Sequence, residues 1–280
     1  MDRHPEEIAA KDDVLFATAH TTGLLCGGIG LIAILPYSLA LQGGLPAPEK
    51  LPMPLWQLLL IQLGTQAALF AFASAMGLSF ANSIGLGLPI LKAWLFPQES
   101  GPDARPLWPK IRAFLPLSVI IGVGASLLII ALDVFVFQPL LKAQLGVGNA
   151  LGLGSAHTPA PWQGLLASFY GGINEEILLR LLVMSFLAWI GRSVSKTADG
   201  KPTLAVLWVA NVLAAVLFGL GHLPVTSTLV TLTPLVVTRA IVLNGLAGVG
   251  FGYLYMKHGL ESAMLSHFCA DLVLHVLFAI

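Results

Sequence analysis

Charged positions divide the chain into long apolar stretches. Runs without Asp, Glu, Lys or Arg cover 14–48, 51–91, 113–132, 143–174 and 202–238. A membrane-spanning helix needs roughly 20 consecutive apolar residues, whereas a soluble helix or strand of that length would carry charges on its wet face. The runs are continuous rather than alternating, which excludes an outer-membrane barrel. The pattern predicts an all-α, polytopic transmembrane helical bundle. Seven spans are read at 22–41, 55–77, 113–137, 163–190, 203–222, 235–256 and 260–280, with a short eighth at 79–95 (SFANSIGLGLPILKAWL). Pro224 is expected to stop the fifth span just after His222, and 225–233 reads as a loop or re-entrant piece before a helix starting near Pro234. The chain divides into an N-terminal tail (1–20), N-terminal spans without a recognisable motif (21–150) and a motif-bearing helical core (151–280).

Composition agrees with this pattern. Hydrophobic residues make up 56% of the 280 residues and charged residues only 10%, against about a quarter charged in a soluble domain. The 14 basic and 14 acidic residues cancel, so there is no basic field for nucleic acid. Cys26 and Cys269 both lie in apolar runs and indicate neither a disulfide framework nor a cysteine zinc site. Basic residues also set an orientation. With a cytoplasmic N-terminus, Arg3, Lys11, Lys92, Arg105, Lys110, Arg112, Arg192, Lys196, Lys201 and Lys257 lie inside, and only Lys50 and Lys142 lie outside. The expected location is the cell membrane, multi-pass, with the N-terminus cytoplasmic and the lipid bilayer as partner.

Ionisable residues within spans are costly and mark function by default. Asp133 and Arg239 stand singly and read as a structural pair or as helix-end charges. Glu261 sits at a helix start, where a carboxylate suits the dipole. The strongest cluster is Asn174-Glu175-Glu176-Ile177-Leu178-Leu179-Arg180. Glu176 and Arg180 share a face at i,i+4 and can pair. Glu175, five residues before Arg180, points about 140° away on a 3.6-residue helix and is left for general-base work. Phe218-Gly219-Leu220-Gly221-His222 ends the fifth span, and its glycines leave room for a close approach. His267, Asp271 and His275 form one stripe at i, i+4 and i+8 of the last span, where Asp271 can hold the imidazole of His267. One Glu and two His on separate helices can activate water, with or without a metal. At 1.5 Å per residue, Glu175 lies about 18 Å and His267 about 10 Å along their helices, both near the midplane; His222 lies at a helix end. An H-E-x-x-H zinc helix and a Gly-x-Ser-Gly serine site are absent, and the S-x-x-K match at Ser193–Lys196 falls in a turn.

Three motifs therefore stand in order: Glu175-Glu176-xxx-Arg180, Phe218-xxx-His222 and His267-xxx-Asp271. This arrangement, over about 163–275 and including the glycine-rich 248–259 (GVGFGYLYMKHG), resembles the CPBP (ABI) family of intramembrane endopeptidases. Its eukaryotic members are the type II CAAX prenyl endopeptidases. The resemblance implies peptide hydrolysis, with Glu175 as catalytic glutamate, His222 assisting it in activating water, and His267 on the oxyanion side. Glu176, Arg180 and Asp271 would be supporting residues. Asp271 stands where the family usually has Asn, and an ionised Asp donates no hydrogen bond, so orienting His267 is the role expected of it. The family is described both as metalloprotease and as metal-free, so a divalent metal such as zinc and a glutamate-only mechanism stand as equal expectations. The implied partner is a membrane-associated peptide or protein. A proton-relaying transporter and a catalytically silent scaffold of the same family are the competing readings.

Overall fold

The structure, a computed structural model, describes residues 5–45, 47, 49, 51–96, 107–146 and 158–278. Helices α1 (Pro5–Ala33) and α2 (Leu35–Leu41) nearly join, and α3 (Leu55–Ile84) and α4 (Pro89–Leu95) follow. Helix α5 (Leu107–Leu132) runs through a π-helical turn (Asp133–Phe137) into α6 (Gln138–Leu145). Residues 161–191 form one unbroken stretch. It contains α7 (Pro161–Phe169), π turns at Tyr170–Glu175 and Ile177–Met184, and α8 (Ser185–Gly191). Then come α9 (Leu204–Gly221), α10 (Leu223–Leu229), α11 (Pro234–His258), α12 (Leu260–Asp271) and a last π turn, Leu272–Leu277. Among the described residues the only β pairing is an isolated bridge, Lys196 to Pro202, in the α8–α9 turn.

The chain is a multi-pass membrane protein built as a helical bundle. Among the described residues six helical stretches are long and apolar enough to cross a bilayer, beginning with Asp13–Leu41 and ending with Leu260–Leu277. The predicted fourth span corresponds to 161–191, where α and π turns alternate. The short eighth span is corrected. Residues 79–84 continue α3, the left-handed Gly85 (φ 77°) ends it, and α4 has only seven residues. Seven residues rise about 10 Å, a third of a hydrocarbon core. The carboxylate of Glu261 serves this short helix rather than its own, with Oε1 accepting from Ile90 N and Leu91 N at 3.0 Å each. The first helix begins at Pro5, well before residue 22, and the expected loop after His222 holds the short helix α10. Helix α11 starts at Pro234, as its sequence suggests, with Thr233 Oγ1 accepting from Val236 N.

The bundle is apolar outside and polar within. Leu25, Ile29, Leu60, Phe72, Ile120 and Val209 are exposed, while Ser126, Asn174, Glu176, Arg180, Asn211 and Ser266 are buried. Lipid supplies no hydrophobic drive between helices, so small residues and interhelical hydrogen bonds take over. Helix α9 packs along α11, where Asn211 Nδ2 donates to Val249 O at 3.0 Å and Gly252 leaves the space for that side chain. Helix α5 packs on α12, and Ser126 Oγ donates across to Ala270 O at 3.1 Å.

Asp133 and Arg239 are each other's partners. Arg239 donates through Nε to Oδ1 at 2.6 Å and through Nη2 to Oδ2 at 3.0 Å, and Gln138 Nε2 adds a bond to Oδ2 at 3.1 Å. The fork joins α5 to α11 near their adjoining ends. Breaking a buried ion pair on one side leaves an uncompensated charge. Arg239→Ala should therefore lower stability by about 3–5 kcal/mol, and the double variant Asp133→Asn, Arg239→Gln by clearly less, as measured by unfolding in detergent micelles. Equal stability of Arg239→Ala and the wild type would remove the pair from the account of the fold.

Candidate active site

The site is assembled around Arg180. Its guanidinium is fully buried and donates through Nη1 to Glu176 Oε1 at 3.1 Å and through Nη2 to Gly248 O at 2.7 Å. The rings of Phe218 and Phe251 lie 5.2 and 5.5 Å from its central carbon, the geometry of a cation over a π face. Gly248 is needed for this close approach, since a Cβ there would stand 2.9 Å from Nη2. The i,i+4 pair read from the sequence is thus present, and it also reaches α9 and α11.

His267 is the second centre. Its Nδ1 lies 2.8 Å from Glu176 Oε1, so one carboxylate oxygen serves both Arg180 and His267. Its Nε2 lies 3.5 Å from Glu175 Oε2 and 3.6 Å from Asp271 Oδ1. The ring stacks on Phe251 (centroids 4.6 Å apart) and meets Phe218 edge-on at 5.5 Å. The hydrogen bond that orients His267 is therefore made by Glu176, with Asp271 at the looser distance.

Glu175 does not point away from the cluster, as a 3.6-residue helix would require. The two π turns explain the difference. Bonds running from i to i+5 bring residues five apart towards one face, and Glu175 and Arg180 are five apart. Both carboxylates therefore reach His267, from adjacent positions on a widened helix. Their exposure separates them: side-chain exposure is 21% for Glu175, 11% for Asp271 and 0% for Glu176.

The stripe on the last helix is formed as its spacing implies. His275 Nε2 lies 3.9 Å from Asp271 Oδ1. His222 is held apart from this cluster. Its Nδ1 lies 2.9 Å from Phe218 O, its ring meets the Phe218 ring edge-on at 4.9 Å, and the same Phe218 ring meets His267. Among the described residues no contact joins His222 to Glu175. Gly219 gives its space to the backbone of Ile241, while Gly221 faces open space.

Several contributors were not read from the sequence. Gly171 is one, because a Cβ there would overlap Asp271 Oδ2 and stand 3.1 Å from His267 Nε2. The Gly171-Gly172 pair just before the acidic motif was the available signal. Phe251 and Tyr37 are others; nothing local distinguishes them from packing aromatics. A cavity of about 590 Å³ lies elsewhere, lined in part by Leu78, Lys92, Lys110, Phe114 and Lys257, and includes none of the candidate residues.

A resident metal fits this arrangement poorly. Among the described residues no three His, Cys, Asp or Glu side chains are grouped to hold an ion.

Residues 157–273 match the family model described as type II CAAX prenyl endopeptidase Rce1-like. The match covers nearly the interval marked by the three motifs and bears out the resemblance drawn from them. No curated protein and no solved structure matches the chain.

The contact at Gly171 gives a direct check on the geometry. Gly171→Ala should destabilise the protein by about 1–3 kcal/mol through overpacking, while Gly124→Ala, where a Cβ meets open space, should not. Thermal midpoints in one detergent decide this; equal midpoints for both variants would mean that the site is looser than described.

Proposed function

We propose that the Rce1-like domain spanning residues 157–273 is the catalytic core of an intramembrane endopeptidase that cleaves a membrane-associated protein or peptide through water activated by Glu175. The observation that carries this reading is the difference among the three carboxylates around His267. Glu176 is sealed and committed to two partners, whereas Glu175, beside the same ring, is the most exposed of the three. A general base must reach water, and a residue that orients an imidazole is best kept from it.

The chemistry then runs as follows. Glu175 takes a proton from water while the oxygen attacks the scissile carbonyl carbon. The carbonyl oxygen becomes an oxyanion and accepts a hydrogen bond from His267 Nε2, with Nδ1–H given to Glu176 so that both ring nitrogens carry protons. A donor fixed before the reaction stabilises that charge without reorganising. Collapse of the intermediate breaks the C–N bond, and Glu175 passes its proton to the leaving amine. His222, with Nδ1 on a carbonyl, has Nε2 for proton handling at the edge of the site. Arg180 does not touch substrate; it holds Glu176 in place. The prenyl group recognised by eukaryotic relatives is not part of the proposal.

Glu175→Gln should lower kcat by on the order of 10²–10⁴-fold against a membrane-anchored peptide in lipid nanodiscs, with an unchanged thermal midpoint. Undiminished cleavage would sink the assignment. The basic-residue bias further proposes a cytoplasmic N-terminus. A cysteine at Ser195, in a Cys26→Ala, Cys269→Ala background, should then react with an impermeant maleimide only after cells are opened. Labelling of intact cells would invert the topology.

A further inference from the structure

Charge balance within the cluster leads to a residue pair outside the matched domain. Three carboxylates, Glu175, Glu176 and Asp271, lie around His267. Among the described residues Arg180 is the one guanidinium in contact with them. With a proton on both nitrogens, His267 supplies a second cation. With all three carboxylates ionised, one negative charge is left without a cationic partner in a nearly dry setting, where a lone charge is strongly disfavoured. His275 Nε2 lies 3.9 Å from Asp271 Oδ1, one turn further along, where a protonated ring balances that charge.

His275 is not free to turn. Its Nδ1 lies 3.0 Å from the hydroxyl of Tyr37, and the two rings meet edge-on with centroids 5.2 Å apart. Tyr37 belongs to α2, which is tied to the domain by Gln163 Nε2 donating to Pro36 O at 3.1 Å. Gly164 on α7 leaves room for the backbone carbonyl of His275, so the π turn carrying that histidine lies directly on α7. Ring position and ring orientation are therefore both fixed from outside α12. With Nδ1 on Tyr37, Nε2 is the nitrogen presented to Asp271.

We infer that His275, held by Tyr37, is a positioning residue for the active site: it balances the charge of Asp271 and so fixes that carboxylate beside His267. This rests on the endopeptidase reading above for its effect on catalysis, but not for the interaction itself. It gives the N-terminal helices a part in the site that the matched segment alone does not have, since Tyr37 and His275 both lie outside 157–273.

The inference specifies a coupling. If His275 serves the charge of Asp271, removing that charge makes His275 dispensable. The full-length protein in lipid nanodiscs is compared as wild type, His275→Gln, Asp271→Asn and the double variant. Two readouts are taken: kcat/KM for a membrane-anchored peptide and the thermal midpoint. His275→Gln should lower kcat/KM on the order of tenfold in the wild type, within the range of contacting pairs, and less than twofold in the Asp271→Asn background. Tyr37→Phe should follow His275→Gln in direction and likewise lose its effect when Asp271 is Asn. The midpoints should show the same non-additivity. If His275→Gln costs the same factor with and without Asp271, the two residues act independently and the inference fails. If the wild type cleaves no peptide, or Asp271→Asn alone abolishes cleavage, the four midpoints still decide: non-additive values support the coupling and additive values overturn it. Absent cleavage in the wild type then counts against the endopeptidase reading alone.

Discussion

A guanidinium buried in the middle of a membrane bundle has to be surrounded on every side, and the rest of the site is what surrounds Arg180. Its partners come from three helical stretches: Glu176 from its own, Phe218 from α9, and Gly248 and Phe251 from α11. Through the shared oxygen of Glu176, a fourth helix is added at His267. All the segments that carry the motifs therefore converge on one charge. An ion at this depth costs several kcal/mol unless it is paired and hydrogen-bonded, so the bundle cannot close with any of these helices misplaced. The same demand explains the glycine at 248, since only a bare backbone lets a carbonyl reach the guanidinium.

The N-terminal helices complete the structure rather than accompany it. Helices α1 and α3 lie against the 161–191 stretch. Asn174, immediately before the two glutamates, donates to Gly27 O on α1 at 2.9 Å, and Gly30 makes room for its side chain. On α3, Gly77 lies against the backbone of Leu181. The polar edge of the acidic motif is thus satisfied by a segment that carries no motif of its own. This is why α1 and α3 look featureless in sequence: what they give the acidic motif is a backbone carbonyl and small residues at the right heights.

Much of this was legible in the chain itself. The bundle followed from the spacing of charges, and the Glu176–Arg180 pair from its i,i+4 separation. The expense of lone charges in lipid left Asp133 and Arg239 as either paired or helix-end charges, and the structure pairs them; the His267–Asp271–His275 stripe followed from helical periodicity. What escaped was of two physical kinds. Helix winding was one: nothing in an all-apolar pattern distinguishes a π turn from an α turn, so Glu175 was placed on the wrong side of its helix. The other was contact between distant segments. Glu176 meeting His267 and Tyr37 meeting His275 depend on which helices become neighbours, and hydrophobic period carries no record of that. His222 shows the same limit, since its contact with the Phe218 ring that also meets His267 has no signal in the sequence.

The π turns have a meaning beyond where they aim two carboxylates. Each is an α-helix with one residue too many, and an extra residue rotates everything that follows by about 100°. Two such turns lie between α7 and α8, so the packed faces of α8 are turned relative to those of α7. The helix meets one set of neighbours before the acidic motif, with α7 against the last π turn, and another after it, with α8 against α3 and α9. Phase, rather than side-chain chemistry, lets one continuous helical stretch pack against two different sets of neighbours, with Glu175 and Glu176 at the change-over.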